Sequence, residues 1–379
     1  MLKGRKIRIY PTKEQEQKMW QHIGACRFIW NWMIDFQRKN YKSGGKYQSS
    51  FSMINLLKPL KNDNEHGWLY DVSNISLQNV CKDLNEAYQK FFKKQNGYPK
   101  YKSRKRSKAS YPIRSDRMYF DGTYCQVERI GKVKYKTDYD LPLGRGNGRF
   151  CNARISFDGF KWFLSFSTEC ESQAPTLTDK PMGIDLGVKD LAIVACGGEH
   201  QVYHNINKSR KIKRLERIIK HKQRSVSRKY EANKVGTAYH KTNNIIREEL
   251  KIKRLRKRQL DIRHNYIHQV THELVSVLPR TVVMEDLNIS GMMKNKHLSK
   301  AVQEQCLYEF IRKMKYKCEW NGIEFIQVDR FYPSSKTCSN CGTIKKDLKL
   351  SDRTFVCQDC GFTIDRDYNA ALNLMRYAA

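Results

Sequence analysis

The chain has 379 residues, 40% of them apolar, which is room for two or three domains with proper cores. Its 72 Lys and Arg against 38 Asp and Glu leave a formal charge of +34, which makes a polyanion, nucleic acid first, the expected partner. An anionic membrane is disfavoured because neither terminus carries a basic amphipathic helix with a bulky apolar face; no apolar run nears the ~18 residues of a membrane span. The opening MLKGRKIRIYPTKEQ lacks the apolar core of a secretory signal, so the cytoplasm is the expected location.

In chain order, RKIRIY alternates and reads as a strand, and Pro11 and Thr12 lead into a helix whose apolar residues Met19, Ile23, Cys26, Ile29 and Met33 recur at helical spacing. A second helix runs from Ser73, its expected N-cap, with the stripe Leu77, Val80, Leu84, Tyr88 and Phe91 as core. Residues 93–117 hold ten basic residues and one acid, interleaved with tyrosines; this strip is expected to touch nucleic acid rather than to be a solvated linker. Residues 118–170 read as β structure, with Asp121-Gly122 and Asp158-Gly159 as turn signals and Trp162, Leu164 and Phe166 on one face. The N-terminal strand is expected to join this sheet, which makes the early helices an insertion.

From residue 180 the pattern changes. MGIDLGV, LAIVAC and HQVYHNI read as three strands, followed by a long helical stretch over 208–276 with a hairpin turn at Gly236. Its portion 208–264 carries 21 Lys and Arg against five acids, a second basic surface. RTVVMEDL is a strand, KAVQEQCLYEFIRKMKYKCEWNG a helix, IEFIQVDR a strand, and DYNAALNLMRYAA the closing helix. Three strands, helix, strand, helix, strand, helix is the element order of an RNase H-like domain.

That order gives Asp185 a purpose. A carboxylate flanked by Ile184, Leu186 and Val188 costs free energy unless it is paired. In an RNase H-like sheet the first and fourth strands are neighbours, so Asp185 can face Glu285, and a carboxylate at the start of the last helix, Asp365 or Asp367, can close the group. Hard oxygen donors suit Mg2+ or Mn2+, and a pair of such ions stabilises both the attacking and the leaving oxygen of a phosphodiester displacement. Three crowded carboxylates without a cation raise one another's pKa.

Cys338 and Cys341 form one CxxC pair, and Cys357 and Cys360 a second, fifteen residues on; Gly342 and Gly361 follow the pairs. Two such pairs read as a four-cysteine zinc site, structural because four thiolates leave no open position. The other eight cysteines are scattered, as reduced thiols are. His264, His268 and His272 share a helix face, and no metal is assigned to them.

These stretches resemble the TnpB family, RNA-guided nucleases of bacterial and archaeal insertion sequences related to type V CRISPR effectors. The resemblance is carried by GIDLGV, VVMEDLNISGM, SSKTCSNCG with CQDCG, and DRDYNAALNL, and at the N-terminus by YPTKEQ, GACRFIWNW and GYPKYKSRKR. It implies an α/β multidomain chain: a β-barrel wedge domain at 1–10 and 118–178, a helical recognition domain at 11–117, a RuvC nuclease domain at 179–333 and 363–379, and an inserted zinc ribbon at 334–362 that binds target nucleic acid. The nuclease acids then fall on Asp185, Glu285 and Asp367, the last chosen over Asp365 because the family's acid stands two residues before the asparagine that is here Asn369. The resemblance further implies a guide noncoding RNA, a double-stranded DNA target with a short flanking motif, Mg2+ or Mn2+ at the acids, and activity close to the nucleoid. Lys100, Lys102, Arg104, Lys105 and Arg106 are expected to grip nucleic acid, and Gln78 and Lys82 to touch the duplex beside the target. A nuclease-silent RNA-guided repressor is the alternative, which the complete set of acids disfavours; an RNase H-like transposase is the other.

Overall fold

The computed structural model describes residues 2–139, 141–145, 150–170, 175–349 and 352–378. The chain divides into two units, Met1–Glu171 and Ser172–Ala379. Among the described residues no helix is long and apolar enough to cross a membrane.

In the first unit, strand β1 (Leu2–Tyr10) passes through Pro11 into helix α1 (Lys13–Lys42). Thr12 closes a capping box: its hydroxyl accepts from the Gln15 amide at 3.3 Å, and the Gln15 side chain accepts from the Thr12 amide at 3.0 Å. Short helices α2 (Ser50–Asn55) and α3 (Leu57–Asn62) precede α4 (Asn74–Phe92). Ser73 stands at the N-cap of α4 with extended backbone, but its hydroxyl donates to Glu128 at 2.5 Å instead of capping the helix. Strands β2 (Ala109–Pro112), β3 (Tyr119–Phe120), β4 (Tyr124–Val127), β5 (Gly131–Lys136), β6 (Gly144–Arg145), β7 (Phe150–Phe157) and β8 (Trp162–Glu169) join β1 in an eight-stranded antiparallel sheet of order β2-β7-β8-β1-β5-β4-β3-β6. The sheet therefore begins inside the basic strip, ahead of the expected start at 118. Pro112 is tolerated because β2 lies at the sheet's edge. Both turn signals operate: Asp121 accepts from the Thr123 and Tyr124 amides and Asp158 from those of Phe160 and Lys161, while Gly122 and Gly159 take φ of 91° and 99°. The buried stripes of α1 and α4 and the inner face of the sheet share one apolar core, so the expected helical insertion and the β layer are a single packed body.

In the second unit, β9 (Thr178–Leu186), β10 (Asp190–Cys196) and β11 (Glu199–His204) form an antiparallel meander. Helices α5 (Arg210–Ala232) and α6 (Asn243–Ser276) follow, joined through a two-stranded ribbon of β12 (Lys234–Val235) and β13 (Ala238–Tyr239) that turns at Gly236. Then come β14 (Pro279–Glu285), α7 (Ile289–Met292), α8 (Ser299–Gln305), α9 (Leu307–Asn321) and β15 (Glu324–Val328). The expected single helix over 300–322 is broken at Cys306, whose φ is +54°. Strands β16 (Thr354–Val356) and β17 (Thr363–Asp365) form a small ribbon that runs directly into α10 (Arg366–Arg376). The sheet order is β11-β10-β9-β14-β15, with β14 parallel to both neighbours.

Strand periodicity sorts this sheet into two faces. Met182, Ile184, Val282 and Met284 point into a core with Ile267 and Val270 of α6 and Phe310 and Met314 of α9. The alternate residues meet α10: Val283 packs with Leu374, and Ile193 and Ala195 with Ala371. Gly183 is where the two layers come closest. A Cβ there would fall 2.1 Å from the Ala371 carbonyl oxygen and 2.3 Å from the Met375 amide nitrogen, both backbone atoms that cannot swing aside. Gly183→Ala is expected to push α10 off the sheet and to cost ~1–3 kcal/mol, as overpacking usually does. Thermal unfolding of the purified variant would check this; an unchanged melting temperature would show that α10 is not seated as described.

Candidate functional site

The close seat at Gly183 also explains what lies two residues further along β9. Asp185 leaves the same face one strand repeat away, and Asp367 stands one turn before Ala371 on α10. The parallel register pairs Val283 with Gly183 and Met284 with Ile184, so Glu285 comes next to Asp185. Asp185, Glu285 and Asp367 thus line one cleft of about 270 Å³, together with Lys189, Asp190, Ser335, Arg353 and Arg366.

The neighbouring acids are sorted by their partners. Asp286 turns away and takes the Arg330 guanidinium at 2.7 Å, leaving Glu285 to the cleft. Asp365 is the N-cap of α10, accepting from the Asp367 and Tyr368 amides at 3.0 Å each, so its carboxylate serves the helix. Asp367 lies 3.8 Å from an Arg353 amine, and Glu285 accepts from the Ser334 hydroxyl. Burial, then the Glu285 and Asp367 carboxylates, push the Asp185 carboxyl well above the ordinary carboxylate range; Arg366 pulls the other way.

The donor set is all oxygen and carries an excess of negative charge, which suits hard divalent cations. Among the described residues the three carboxylates are not gathered so that all their ligand oxygens fall within 4.8 Å of one another. Like charges repel, which keeps such carboxylates apart.

The four cysteines do gather: the sulfurs of Cys338, Cys341, Cys357 and Cys360 all lie within 4.8 Å, with Cys338–Cys360 at 3.7 Å and Cys341–Cys357 at 3.5 Å. Gly342 and Gly361 take φ of 82° and 71°, which lets each knuckle turn back on its pair, and the Asn340 amide points at the Cys338 sulfur at 3.4 Å. Four thiol sulfurs this close have the arrangement that one tetrahedral metal ion requires. Its root is stitched to α10 by two buried asparagines. Asn369 accepts from the Ser339 amide at 2.9 Å and donates to the Thr337 carbonyl at 2.7 Å; Asn373 donates to the Ser334 and Thr337 carbonyls at 2.7 and 2.6 Å.

The remaining expected residues scatter over other surfaces. Lys100, Arg104, Lys105 and Arg106 are exposed, but the Lys102 amine sits 3.4 Å over the Trp30 ring. Gln78 is half-buried and lines a separate cavity with Lys58, Lys61 and Arg129, whereas Lys82 is exposed on α4. On α5, Lys213, Arg217, Lys220, Arg224 and Arg228 recur at helical spacing, all exposed. His268, set beside Lys313 and Lys317, is pushed down to about 4 by burial and those cations, surroundings that repel a metal. Sequence reasoning missed Ser334, Arg353 and Asn373. Asn369 enters it only as the landmark for Asp367, and Arg353 carries no spacing signal at all.

Comparison with known proteins follows the same lines. Residues 165–296 match the family model described as "Probable transposase" of the IS605 OrfB type, residues 308–374 the "Cas12f1-like, TNB domain", and residues 1–46 a "Helix-turn-helix domain". Over those first residues the structure has β1 and one continuous helix. A protein of Streptomyces pristinaespiralis named "Putative RNA-guided DNA endonuclease" is 31% identical over 98% of this chain and 88% of its own length. The similarly named InsQ of Escherichia coli K12 is 30% identical over 99% and 92%. A Cas12f1 chain, solved in a Cas12f1–sgRNA–target DNA complex, superposes with a TM-score of 0.54 at 15% identity, covering 99% of this chain and 98% of that one, a likeness of fold.

Proposed function

Because the chain belongs to the TnpB family of RNA-guided DNA endonucleases, we propose that it pairs a guide RNA with one strand of a DNA duplex and cuts the DNA at the cleft of Asp185, Glu285 and Asp367. The observation that carries this reading is the parallel register of β14 on β9, which sets Glu285 beside Asp185 under the first turn of α10. The sheet order, an antiparallel meander extended by two parallel strands, is that of an RNase H-like nuclease domain and supports the RuvC assignment. On this reading residues 179–333 and 363–379 form the nuclease domain and 334–362 a zinc ribbon. Residues 1–10 and 118–171, with β2 added, form the wedge, which ends before the expected 178 because Thr178 already pairs in the second sheet, and 11–117 the recognition helices.

Asp185, Glu285 and Asp367 would hold the divalent ions, and Mg2+ bound there supplies a nucleophilic water and charge stabilisation at the leaving oxygen. The chain's own residues do the rest. Ser334 fixes the Glu285 carboxylate by donating to it. Asp365 pins the first turn of α10, so that Asp367 enters the cleft at a set height. Arg353 at the cleft's rim brings a cation to where a scissile phosphate must lie. The +34 charge, with the α5 stripe and Lys100, Arg104, Lys105 and Arg106 exposed, provides the phosphate contacts that hold guide and target through their backbones.

The test is reconstitution. The purified chain with its copurifying RNA and magnesium is expected to linearise a plasmid carrying the matched sequence, and to follow the guide when the guide is changed. Binding without any product in magnesium or manganese would favour a repressor, and joined DNA ends a transposase; either result overturns the reading.

A further inference from the structure

The first unit holds a cavity of about 280 Å³ bounded by α1, α4, β7 and the segment 102–112, far along the chain from the cleft acids. Its floor is apolar, made by Ile23 and Val80 with Trp20 at one side. Trp20 is braced edge-on by Phe157 and Trp162, with ring centroids 5.3 and 5.2 Å away, yet remains 39% exposed. The walls are cationic: Arg27, Lys102, Arg104, Lys108 and Arg154 face the single acid Asp83, which is already paired with Arg154.

The backbone that carries Lys102 and Arg104 is fixed before any ligand arrives. Asn31 of α1 clamps the backbone of Lys102 at both ends, donating to its carbonyl at 2.9 Å and accepting from its amide at 2.8 Å. Residues 103–107 form a closed turn in which the Ser103 amide donates to the Ser107 hydroxyl at 2.9 Å and the Ser107 amide to the Ser103 carbonyl at 3.0 Å. Basic side chains on a preformed turn lose less entropy on binding than those of a loose tail. Burial drives Lys102 down to about 8, with Asp83 opposing and Arg154 adding to the fall; Asp83 is the single acid against five cations in the lining. An aromatic side, an apolar floor and surplus cations within one small hollow match the two halves of a nucleotide, a flat base and an anionic phosphate.

We propose that this cavity seats one unpaired nucleotide of the bound nucleic-acid strand, its base against Trp20 and its phosphate among Arg27, Arg104 and Lys108. The proposal rests on the nucleic-acid partners inferred above and adds a defined seat for one of them. The base and phosphate are common to guide RNA and to a DNA strand, so the experiment treats both.

The full chain and the triple variant Arg27→Gln/Arg104→Gln/Lys108→Gln are titrated with fluorescent guide RNA and, separately, with single-stranded DNA, each over a salt series. Loss of about tenfold or more in affinity for one strand, with its log–log salt slope shallower by ~2, supports the seat and says which strand occupies it. A 5-iodouracil-substituted copy of that strand should then crosslink to the peptide carrying Trp20. Affinities and slopes that match the parent chain for both strands overturn the proposal, as does crosslinking that bypasses Trp20. If the parent chain cuts its target while the variant binds equally well, the seat alone fails; if the parent binds neither strand, the functional reading itself has failed. An unchanged melting temperature certifies that the triple variant is folded.

Discussion

Asp185→Asn is expected to cut target cleavage by about 10³-fold, the upper range for a single transition-state interaction, while guide and target still bind. The same change should stabilise the metal-free protein. Asp185 is the most crowded of the three acids, beside both Glu285 and Asp367, and asparagine keeps its shape without its charge. The sign of the pH effect follows. Because the folded chain holds the Asp185 proton to higher pH than the unfolded chain does, it gains stability at low pH and loses it as pH climbs out of the ordinary carboxylate range. In chelator the parent should therefore melt progressively lower as pH rises through that window, and the variant should not follow. Magnesium reverses the comparison, since a ligand bound only by the native state stabilises it by RT ln(1 + [L]/Kd). Melting curves with and without magnesium read this without any substrate. Equal magnesium shifts in parent and variant, or cutting that survives, would remove the carboxylate cluster as the seat of the ions.

The second large effect concerns the cysteine ribbon. Its own core is Leu348 and Phe355 with Phe362 and Ile364 packed against them, far too little to hold a fold. A structural zinc bound by four thiolates contributes about 10–16 kcal/mol in comparable small modules. Cys357→Ser is accordingly expected to release the metal and melt residues 334–362. Cutting should fall with it by about 100-fold, the upper end of what outer-shell support is worth to a metal site. The ribbon's last strand runs straight into α10, and the ribbon's root carries Ser334, which fixes Glu285. Asn369→Leu separates the two effects. It leaves the thiols alone but strands the buried Ser339 amide, at ~1–3 kcal/mol for an unsatisfied group, while the Thr337 carbonyl keeps its bond from Asn373. Metal analysis should find one zinc in Asn369→Leu and none in Cys357→Ser, with cutting reduced in both. A Cys357→Ser protein that cuts at the parental rate would show that the ribbon does not support the cleft.

Much of this chain is legible in its residues alone because the signals are local. The paired CxxC spacing, the Asp-Gly turns, the stripe of α1 and that of α4 from Leu77 to Tyr88 depend on neighbours within a few residues and form as read, although Phe91 at the end of the α4 stripe stays outside the core. The element order also placed Asp185 and Glu285 on strands that turn out to be adjacent. What stayed hidden depends on partners far along the chain. Glu285 and Asp286 are equivalent as sequence; Arg330, 44 residues away, draws off one of them. Asp365 and Asp367 differ in role because only a formed helix α10 needs a cap at one and leaves the other to the cleft. The hydroxyl of Ser73 goes to Glu128 across 55 residues, and β2 exists because β7 pairs with it. The break at Cys306 follows a run with no glycine or proline to announce it. Short-range propensities are written in adjacent residues, whereas the charge that neutralises a given acid and the strand that completes an edge arrive from distant segments, and only the packed chain brings them within reach.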